Sequence, residues 1–213
     1  MNSAKEANFI YVFDSQSGMP EYKVYEADED TFLLADTLKK ELGLYIANTG
    51  KSLESIRMIE MGAGSGYIGF TAEDEGIRKP ILVDINPEAI EEMQTQADET
   101  RSDVEIIESD LFSKIPQQEF DIMVFNTPYL PNDETVHDIA LHGGPVGNEI
   151  ALRFLGQAQD YLAPGGFILL LTSSLAHPEG IEEYADNNDM ICISVANLKL
   201  FFEELIIYKI VKQ

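Results

Sequence analysis

Apolar residues recur along this chain in two distinct patterns. Short continuous apolar runs, typical of strands buried on both faces, occupy residues 56–61, 80–84, 104–107, 120–125 and 165–172. Segments with helical spacing lie at about 32–42, 87–100, 148–161 and 177–188. Two further apolar runs, 191–195 and 204–211, predict closing strands that can pair as a hairpin. Because strands alternate with helices, the pattern predicts an open α/β sheet.

The first fifty residues are less regular. Residues 1 to about 24 mix aromatic and polar side chains with Gly18-Met19-Pro20, which predicts a loop. An acidic cluster at 26–30 follows. This cluster can form the first turn of a helix, where the helix dipole favours negative charge, with a buried face made of Phe32, Leu33, Leu38 and Leu42.

A glycine-rich turn follows the first core strand, at Gly62, Gly64 and Gly66. Glycine lets the backbone approach a ligand closely, and the N-terminus of the next helix favours a negative group. The third glycine comes one residue too early for the dinucleotide fingerprint. Glu60, just before the turn, would repel a pyrophosphate but could attract the amino group of an amino-acid-like ligand. The turn therefore indicates a nucleotide-type cofactor.

Acidic residues also follow the second and third strands. Asp84 stands about 20 residues after the glycines, a spacing suited to hydrogen bonds from both hydroxyls of a ribose. It could equally cap the next helix, whose first turn suits Pro87. Asp110 could accept from an adenine amino group while the Leu111 N–H donates to a ring nitrogen, although Ser109-Asp110 is also ordinary loop sequence.

The fourth strand ends in Asn126-Thr127-Pro128-Tyr129-Leu130. The Asn126 side-chain carbonyl can accept an N–H from a substrate amine or amide, and a neighbouring backbone carbonyl can accept a second. Pro128 stiffens the turn, and the ring of Tyr129 can pack against a flat group. A strand end with a simple proline turn explains the same residues. The glycine-rich segment 141–149 could border a substrate, or Gly147 or Asn148 could only begin a helix.

Composition narrows the possible partners and location. The chain has 213 residues, 45% of them hydrophobic, enough for one domain with a sizeable core. Its net charge of −24 argues against a surface that binds nucleic acid. The single Cys192 predicts a core position, and His137, His142 and His177 lack metal-ligand spacing, so no metal site is expected. Without an apolar run long enough for a membrane span or signal peptide, we expect a cytoplasmic protein with no membrane contact.

The four strand ends together resemble the class I methyltransferases that use S-adenosyl-L-methionine. That resemblance implies a Rossmann-like, seven-stranded, mostly parallel sheet with an antiparallel last strand and helices on both faces. Within this class the chain resembles the HemK-related N5-glutamine methyltransferases, in the archaeal and eukaryotic branch that modifies class I translation release factors. The similarity is carried by residues 25–34, 84–89 and 124–130, and by Gly143-Gly144 with Gly147 and Glu149.

The resemblance implies a role for each site residue. The methionine part of the cofactor is expected at Thr31, Glu60 and Gly62, with Gly64 and Gly66 in the same turn, the ribose at Asp84, and the adenine at Asp110 and Leu111. Asn126 is expected to contact both cofactor and substrate. Asn126 to Leu130 would hold the target glutamine of a Gly-Gly-Gln motif, and the catalytic group would be Asn126, Thr127, Pro128 and Tyr129.

The resemblance also bears on organisation and partners. It implies one methyltransferase domain over 1–213, with an N-terminal cap at 1–50 and a catalytic core at 51–213, and without the helical domain of bacterial relatives. It implies a release factor as substrate and a small zinc-binding activator protein as heterodimer partner. Two residues depart from the family pattern, Thr127 and Ala27, where proline is usual. The motif leaves other functions open: an N6-adenine methyltransferase, a protein lysine methyltransferase, or a non-catalytic scaffold.

Overall fold

The computed structural model describes residues 24–131 and 142–213. The loop predicted at the N-terminus and His137 lie outside these ranges. The elements in chain order are α1 (Glu29–Thr49), β1 (Met58–Met61), α2 (Tyr67–Asp74), β2 (Ile81–Asp84), α3 (Pro87–Thr100), β3 (Glu105–Glu108), β4 (Phe120–Asn126), β5 (Leu130–Pro131), β6 (His142–Gly144), α4 (Glu149–Ala158), β7 (Leu162–Ser173), α5 (Glu179–Asn187), β8 (Met190–Lys199) and β9 (Glu204–Lys212).

Seven strands form one sheet in the order β3-β2-β1-β4-β7-β9-β8. The first five in this order are parallel, whereas β9 runs antiparallel to both β7 and β8. This arrangement confirms the predicted fold class, including the closing hairpin. The strand order reverses between β1 and β4, and open sheets of this kind bind ligands at the carboxyl ends of the strands beside such a switch point.

Helices cover both faces of the sheet. Successive residues of a strand point to opposite faces, so Ile122 and Val124 of β4 pack with α1, whereas Met123 and Phe125 pack with α4. Helices α1 and α2 share the core of the first face, and α3 packs beside α2 through Phe70 and neighbouring residues. Helices α4 and α5 cover the second face. The central strands β4 and β7 are therefore buried on both sides, which explains their continuous apolar sequence.

The structure extends several predicted elements. Helix α1 begins after Asp28, whose side chain accepts from the Glu29 N–H at 2.8 Å, and ends at Gly50 in a left-handed conformation. Strand β8 continues beyond Val195 to Lys199, because its pairing with β9 persists after a register shift near Ala196. The predicted core position of Cys192 is wrong. Its side chain is half-buried, because β8 is an edge strand. In the two described ranges, no helix is long and apolar enough to cross a membrane.

Candidate active site

The predicted site residues meet at one edge of the sheet. In the parallel registers, Met61 of β1 lies beside Val83 of β2 and Phe125 of β4. The strands therefore end side by side, with Asp84 and Asn126 as the last residues of β2 and β4. The glycine turn after β1 lies between these two ends. The structure thus places the predicted cofactor turn and the predicted acceptor motif along one continuous edge.

The glycine turn is held in shape by the protein itself. Asp84 Oδ2 accepts from the Gly64 N–H at 2.7 Å, and the Ala63 N–H donates to the Val83 carbonyl at 2.9 Å. Gly62 has φ 61°, and a β-carbon there would lie 2.7 Å from the Phe125 ring, so only glycine fits this position. The turn therefore joins the ends of β1 and β2 before any ligand binds.

Glu60 is a buried carboxyl group at this turn, with 3% of its surface exposed. Its Oε2 accepts from the Gly69 N–H in α2 at 2.7 Å. Burial raises the pKa of Glu60 to about 8, with the nearby Asp84 charge adding to the rise and the Gly69 and Ile68 N–H groups opposing it. When no cation is beside it, the Glu60 carboxyl is therefore mostly protonated at neutral pH.

Asp84 is not the cap of the next helix. Asn86 holds that position, and its side-chain oxygen accepts from the Glu88 N–H at 2.9 Å. Asp84 instead accepts from the N–H groups of Gly64 and Asn86, at 2.7 and 2.8 Å. Burial raises the pKa of Asp84, while these backbone hydrogen bonds oppose the shift. The carboxylate is thus fixed in orientation at the carboxyl edge of β2.

Asp110 has a partner that the sequence did not indicate. Arg153 of α4 donates from Nη2 to Asp110 Oδ1, with both side chains partly exposed. The only sequence signal for this pair is a single basic residue within the apolar helix 149–158. Beside Asp110, Leu111 adopts a left-handed backbone with φ 47°, and its carbonyl accepts from Ser109 Oγ at 2.8 Å. This corner is therefore a tightly turned segment anchored to α4.

The acceptor motif meets α1 through Asp30, which is only 4% exposed. Asn126 Nδ2 donates to Asp30 Oδ2 at 3.1 Å, and the hydroxyls of Tyr25 and Tyr129 lie 2.8 and 3.5 Å from the same oxygen. Thr31 donates to Asp30 Oδ1 from its backbone at 2.6 Å and its hydroxyl at 3.1 Å. The sequence placed Asp30 in a helix turn, but its burial against Asn126 was not foreseen.

The other end of the Asn126 amide has no such partner. Asn126 Oδ1 is buried and accepts no hydrogen bond from any residue in the described ranges. A buried acceptor left without a partner costs about 1–3 kcal/mol, so folded proteins rarely retain one without a reason. An N–H group of a bound substrate would supply the hydrogen bond that this oxygen lacks.

Thr127, where the family usually has proline, is bonded to the sheet. Its hydroxyl donates to the Leu171 carbonyl of β7 at 2.8 Å, and its N–H approaches the same carbonyl at 3.3 Å. A proline could make neither bond. The substitution therefore replaces the stiffness of a proline ring with two hydrogen bonds to β7.

The described part of the glycine-rich segment, residues 142–149, packs against residues 128–130 of the motif. Strand β6 pairs with β5, which places His142 beside Leu130. A β-carbon on Gly143 would lie 2.2 Å from the Pro128 carbonyl oxygen and 2.1 Å from that of Gly147. Helix α4 then begins at Glu149, with Asn148 at its N-cap. The segment therefore leads into a helix, as one interpretation predicted, and it contacts the motif; that it borders a substrate stays a prediction.

In the same described ranges, no group of three or more His, Cys, Asp or Glu residues could hold a metal ion. The described residues at the edge present carboxylates, an amide, tyrosine hydroxyls and backbone groups. Carboxylates suit the ammonium group and hydroxyls of a nucleoside linked to an amino acid, and an unpaired amide oxygen suits an N–H donor.

Comparison with known proteins agrees with this arrangement. A family model described as the methyltransferase small domain matches residues 13–193. This chain belongs to the methyltransferase small domain family. This small-domain methyltransferase is 33% identical over 191 residues to a protein of Methanocaldococcus jannaschii named "Putative protein N5-glutamine methyltransferase MJ0928". The match covers 87% of this chain and 90% of that relative.

Two further relatives support the HemK relationship. Methyltransferase HEMK2 of Homo sapiens is 32% identical over 186 residues, which cover 82% of this chain and 83% of HEMK2. A release factor glutamine methyltransferase of Koribacter versatilis is 37% identical over 134 residues, which cover 57% of this chain and 48% of that protein. The archaeal and human matches confirm the predicted HemK-related, archaeal and eukaryotic branch.

Solved structures agree on the fold. The E. cuniculi Mtq2-Trm112 complex, described as responsible for methylation of the eRF1 termination factor, matches with a TM-score of 0.67 at 24% identity, over 89% of this chain and 98% of the matched chain. The T. thermophilus 16S rRNA methyltransferase RsmC, solved with AdoMet and guanosine, matches with a TM-score of 0.63 at 20% identity, over 88% of this chain and 44% of RsmC. The class I methyltransferase fold is confirmed.

Proposed function

We propose that this small-domain methyltransferase methylates the side-chain amide nitrogen of a glutamine, within the Gly-Gly-Gln motif of a class I translation release factor. The observation that carries the proposal is the Asn126 amide, whose Nδ2 is bonded to Asp30 and whose Oδ1 is buried without a described partner. Such an oxygen suits a substrate nitrogen that carries hydrogen. The relatives named as glutamine methyltransferases support the choice of an amide nitrogen.

The cofactor in this proposal is S-adenosyl-L-methionine, which would supply an electrophilic methyl group. Thr31, Glu60 and the turn of Gly62, Gly64 and Gly66 would hold its methionine part, Asp84 its ribose, and Asp110 with Leu111 its adenine. The fit rests on two carboxyl groups, the buried Glu60 and the half-buried Asp84, whose hydrogen bonds come from the backbone in the described ranges. An ammonium group beside Glu60 would favour its charged form and lower its pKa from about 8.

The protein's main contribution to the reaction is positioning. A glutamine amide nitrogen is a weak nucleophile, so its orientation contributes much of the catalysis. Asn126 Oδ1 would accept one N–H and the Thr127 carbonyl the other, while the Tyr129 ring packs against the amide plane. The substrate nitrogen would take the methyl group as the bond from that group to the sulfonium sulfur breaks, which would leave a neutral thioether on the cofactor. The methylated nitrogen would then release its extra proton to water. No strong base is therefore needed before transfer.

The proposal also covers organisation and partners. We assign the activity to a single domain over 1–213, in which the 1–50 cap contributes Asp30 and Thr31 and the 51–213 core contributes the rest. Because release factors act in translation, the reaction is placed in the cytoplasm. A small zinc-binding activator is proposed as a heterodimer partner, and the likeness of this fold to the Mtq2 complex with Trm112 motivates that part.

The test is methyl transfer from labelled cofactor to the release factor of the same organism, read by peptide mass spectrometry. The matched control is the release factor with its Gly-Gly-Gln glutamine changed to alanine, each measured with and without the activator protein. We expect label on the intact glutamine and none on the control. No label in the presence of the activator contradicts the release-factor assignment. Label on a lysine or on RNA would identify one of the other acceptors.

A further inference from the structure

Asp30 has more hydrogen-bond donors around it than a helix-turn residue requires. It lies in the first turn of α1, buried at 4% exposure and facing the end of β4. Its Oδ1 accepts from the backbone and hydroxyl of Thr31, at 2.6 and 3.1 Å. Its Oδ2 is close to three side-chain donors, from Tyr25 at 2.8 Å, Asn126 at 3.1 Å and Tyr129 at 3.5 Å.

The contact with Asn126 determines which way its amide faces. An ionised carboxylate can only accept hydrogen bonds, so the NH₂ end of an amide must face it. Rotating the Asn126 amide by half a turn would bring Oδ1 against Asp30 Oδ2 and leave two acceptors in contact. The Asp30 charge therefore keeps Nδ2 inward and leaves Oδ1 as the free acceptor of the site.

We infer that Asp30 is a positioning residue, which locks the Asn126 amide so that Oδ1 and not Nδ2 faces the nitrogen to be methylated. The inference rests on the proposed function, because it concerns the acceptor side of that reaction. It selects for a substrate atom that donates hydrogen and against one that can only accept. Asp30 also holds Tyr129 of the motif, because the Tyr129 hydroxyl lies 3.5 Å from Asp30 Oδ2.

The neighbouring tyrosines support this role. Burial raises the pKa of Tyr25 and of Tyr129, and the Asp30 charge raises both further. Both hydroxyls therefore stay protonated and act as donors toward Asp30. With these donors and both Thr31 groups directed at it, Asp30 is poorly placed to accept the substrate proton. Its influence on the reaction passes through Asn126.

Asp121 offers a matched control at the opposite end of the same strand. It is 1% exposed and accepts from the Tyr45 hydroxyl at 2.9 Å, from Lys51 Nζ at 2.6 Å and from the Arg57 N–H at 3.1 Å. Like Asp30, it is a buried carboxylate with several donors, but it lies at the amino end of β4. Loss of its charge reports the stability cost of such a site without a change at Asn126.

The test compares Asp30→Asn, Asp121→Asn and wild type for glutamine methylation, binding of S-adenosylhomocysteine by calorimetry, and melting temperature. For Asp30→Asn we expect kcat to fall about 100-fold, the loss typical of a misplaced reacting group, while KM for the release factor and cofactor affinity change less than about threefold. For Asp121→Asn we expect a lower melting temperature, with kcat within about twofold of wild type because the amide at Asn126 keeps its orientation.

The double variant Asp30→Asn with Asn126→Asp reverses the hydrogen bond and again presents an oxygen to the substrate. It should recover at least about tenfold in kcat over Asp30→Asn, since orientation is restored. An unchanged kcat in Asp30→Asn overturns the inference, as does an equal loss of cofactor affinity. If Asp30→Asn does not fold, the double variant decides, and a folded but inactive double variant overturns it. If the wild-type protein labels no glutamine, the proposed function itself is contradicted. If both the wild type and Asp30→Asn are fully active, only the role of Asp30 is contradicted.

Discussion

The two halves of the candidate site both contain acidic residues that are buried or half-buried, but their polar groups are left without partners in opposite ways. In the cofactor half, Glu60 and Asp84 accept from backbone N–H groups and form no ion pair with a described residue. Burial raises the pKa of both. In the acceptor half, Asp30 is surrounded by donors, and the unsatisfied atom is the neutral oxygen of Asn126.

This difference indicates what each half requires from a ligand. The half proposed to hold the cofactor presents carboxyl oxygens that can accept from an ammonium group and from hydroxyls, both of which a nucleoside joined to an amino acid can provide. The acceptor half lacks one N–H donor and has no need of charge. Changes to the first half should therefore affect cofactor binding and pH behaviour, and changes to the second should affect turnover.

The largest effect is expected for Asn126→Ala. Removing the side-chain acceptor of the motif should lower kcat by about 1000-fold, the upper range for losing one oriented polar group in an active site. Affinity for S-adenosylhomocysteine should stay within about threefold, because the cofactor half is unchanged. Single-turnover methylation and calorimetry measure the two quantities.

The control for this change is Asn197→Ala, which removes an exposed amide bonded to Glu204 at 2.9 Å in the β8–β9 hairpin. It should leave turnover at the wild-type value. Equal losses of turnover and cofactor affinity in Asn126→Ala would show that the two halves are not separate.

Asp84→Asn should have the next largest effect, on the other half. An ionised acceptor contributes about 1.5–3 kcal/mol per hydrogen bond, so the dissociation constant for S-adenosylhomocysteine should rise about 10- to 100-fold. At saturating cofactor, kcat should fall less than about threefold, since the acceptor half is intact. Glu108→Gln, an exposed acid at the end of β3 that pairs with Lys114, is the control. A large fall in kcat at saturating cofactor would show that the cofactor half and the acceptor half do not act separately.

Glu60→Gln should change how stability depends on pH. The folded pKa of about 8 lies above the ordinary value of 4.5, so the favourable contribution of Glu60 is complete below about pH 4.5 and is lost as pH rises through 8. Glutamine imitates the protonated form and avoids this loss. In ligand-free protein, the variant should gain on wild type by roughly 4 kcal/mol between pH 5 and pH 9. Urea unfolding at both pH values measures this, and parallel pH profiles would contradict the assigned pKa.

Thr127→Pro should have the smallest effect. The change introduces the family's usual residue but removes both hydrogen bonds to the Leu171 carbonyl, so we expect a loss of about 1–2 kcal/mol in unfolding free energy. Thr127→Val, which keeps the N–H and removes only the hydroxyl, should lose about half as much. Turnover should stay within about threefold in both, because the Thr127 carbonyl remains. A stabilised proline variant would show that the hydrogen bonds contribute less than the ring.

Much of this fold could be predicted because its central strands are buried on both faces. Continuous apolar runs such as 120–125 and 165–172 have few alternatives to a parallel sheet, and polar residues at their ends mark the ligand edge. The hairpin was also evident, although its true length was not. Residues 196–199 are not an apolar run, and they join β8 because β9 supplies a paired backbone.

The parts of the site that escaped prediction depend on contacts between distant segments. Asp30 stands in an acidic run in which a solvated helix turn is the simplest interpretation, and only the packing of α1 against β4 buries it. Arg153 is equally ambiguous in sequence, because nothing in a helix pattern shows that one basic residue reaches Asp110. The direction of the Asn126 amide follows from Asp30 and could not be read from the motif alone. Asp30 and Asn126 are 96 positions apart, so the sequence around either residue does not indicate that they are in contact.

The position of β9 between β7 and β8 has a consequence for how this chain reaches its native state. Strand β8 leaves the ribosome before β9 but touches the sheet only through it. Until residues 204–212 emerge, the parallel strands can associate while β7 remains an open edge, and β8 has no place to pair. Such an edge is a ready template for another chain. The closing strand therefore also ends the interval in which a newly made molecule is most prone to aggregate.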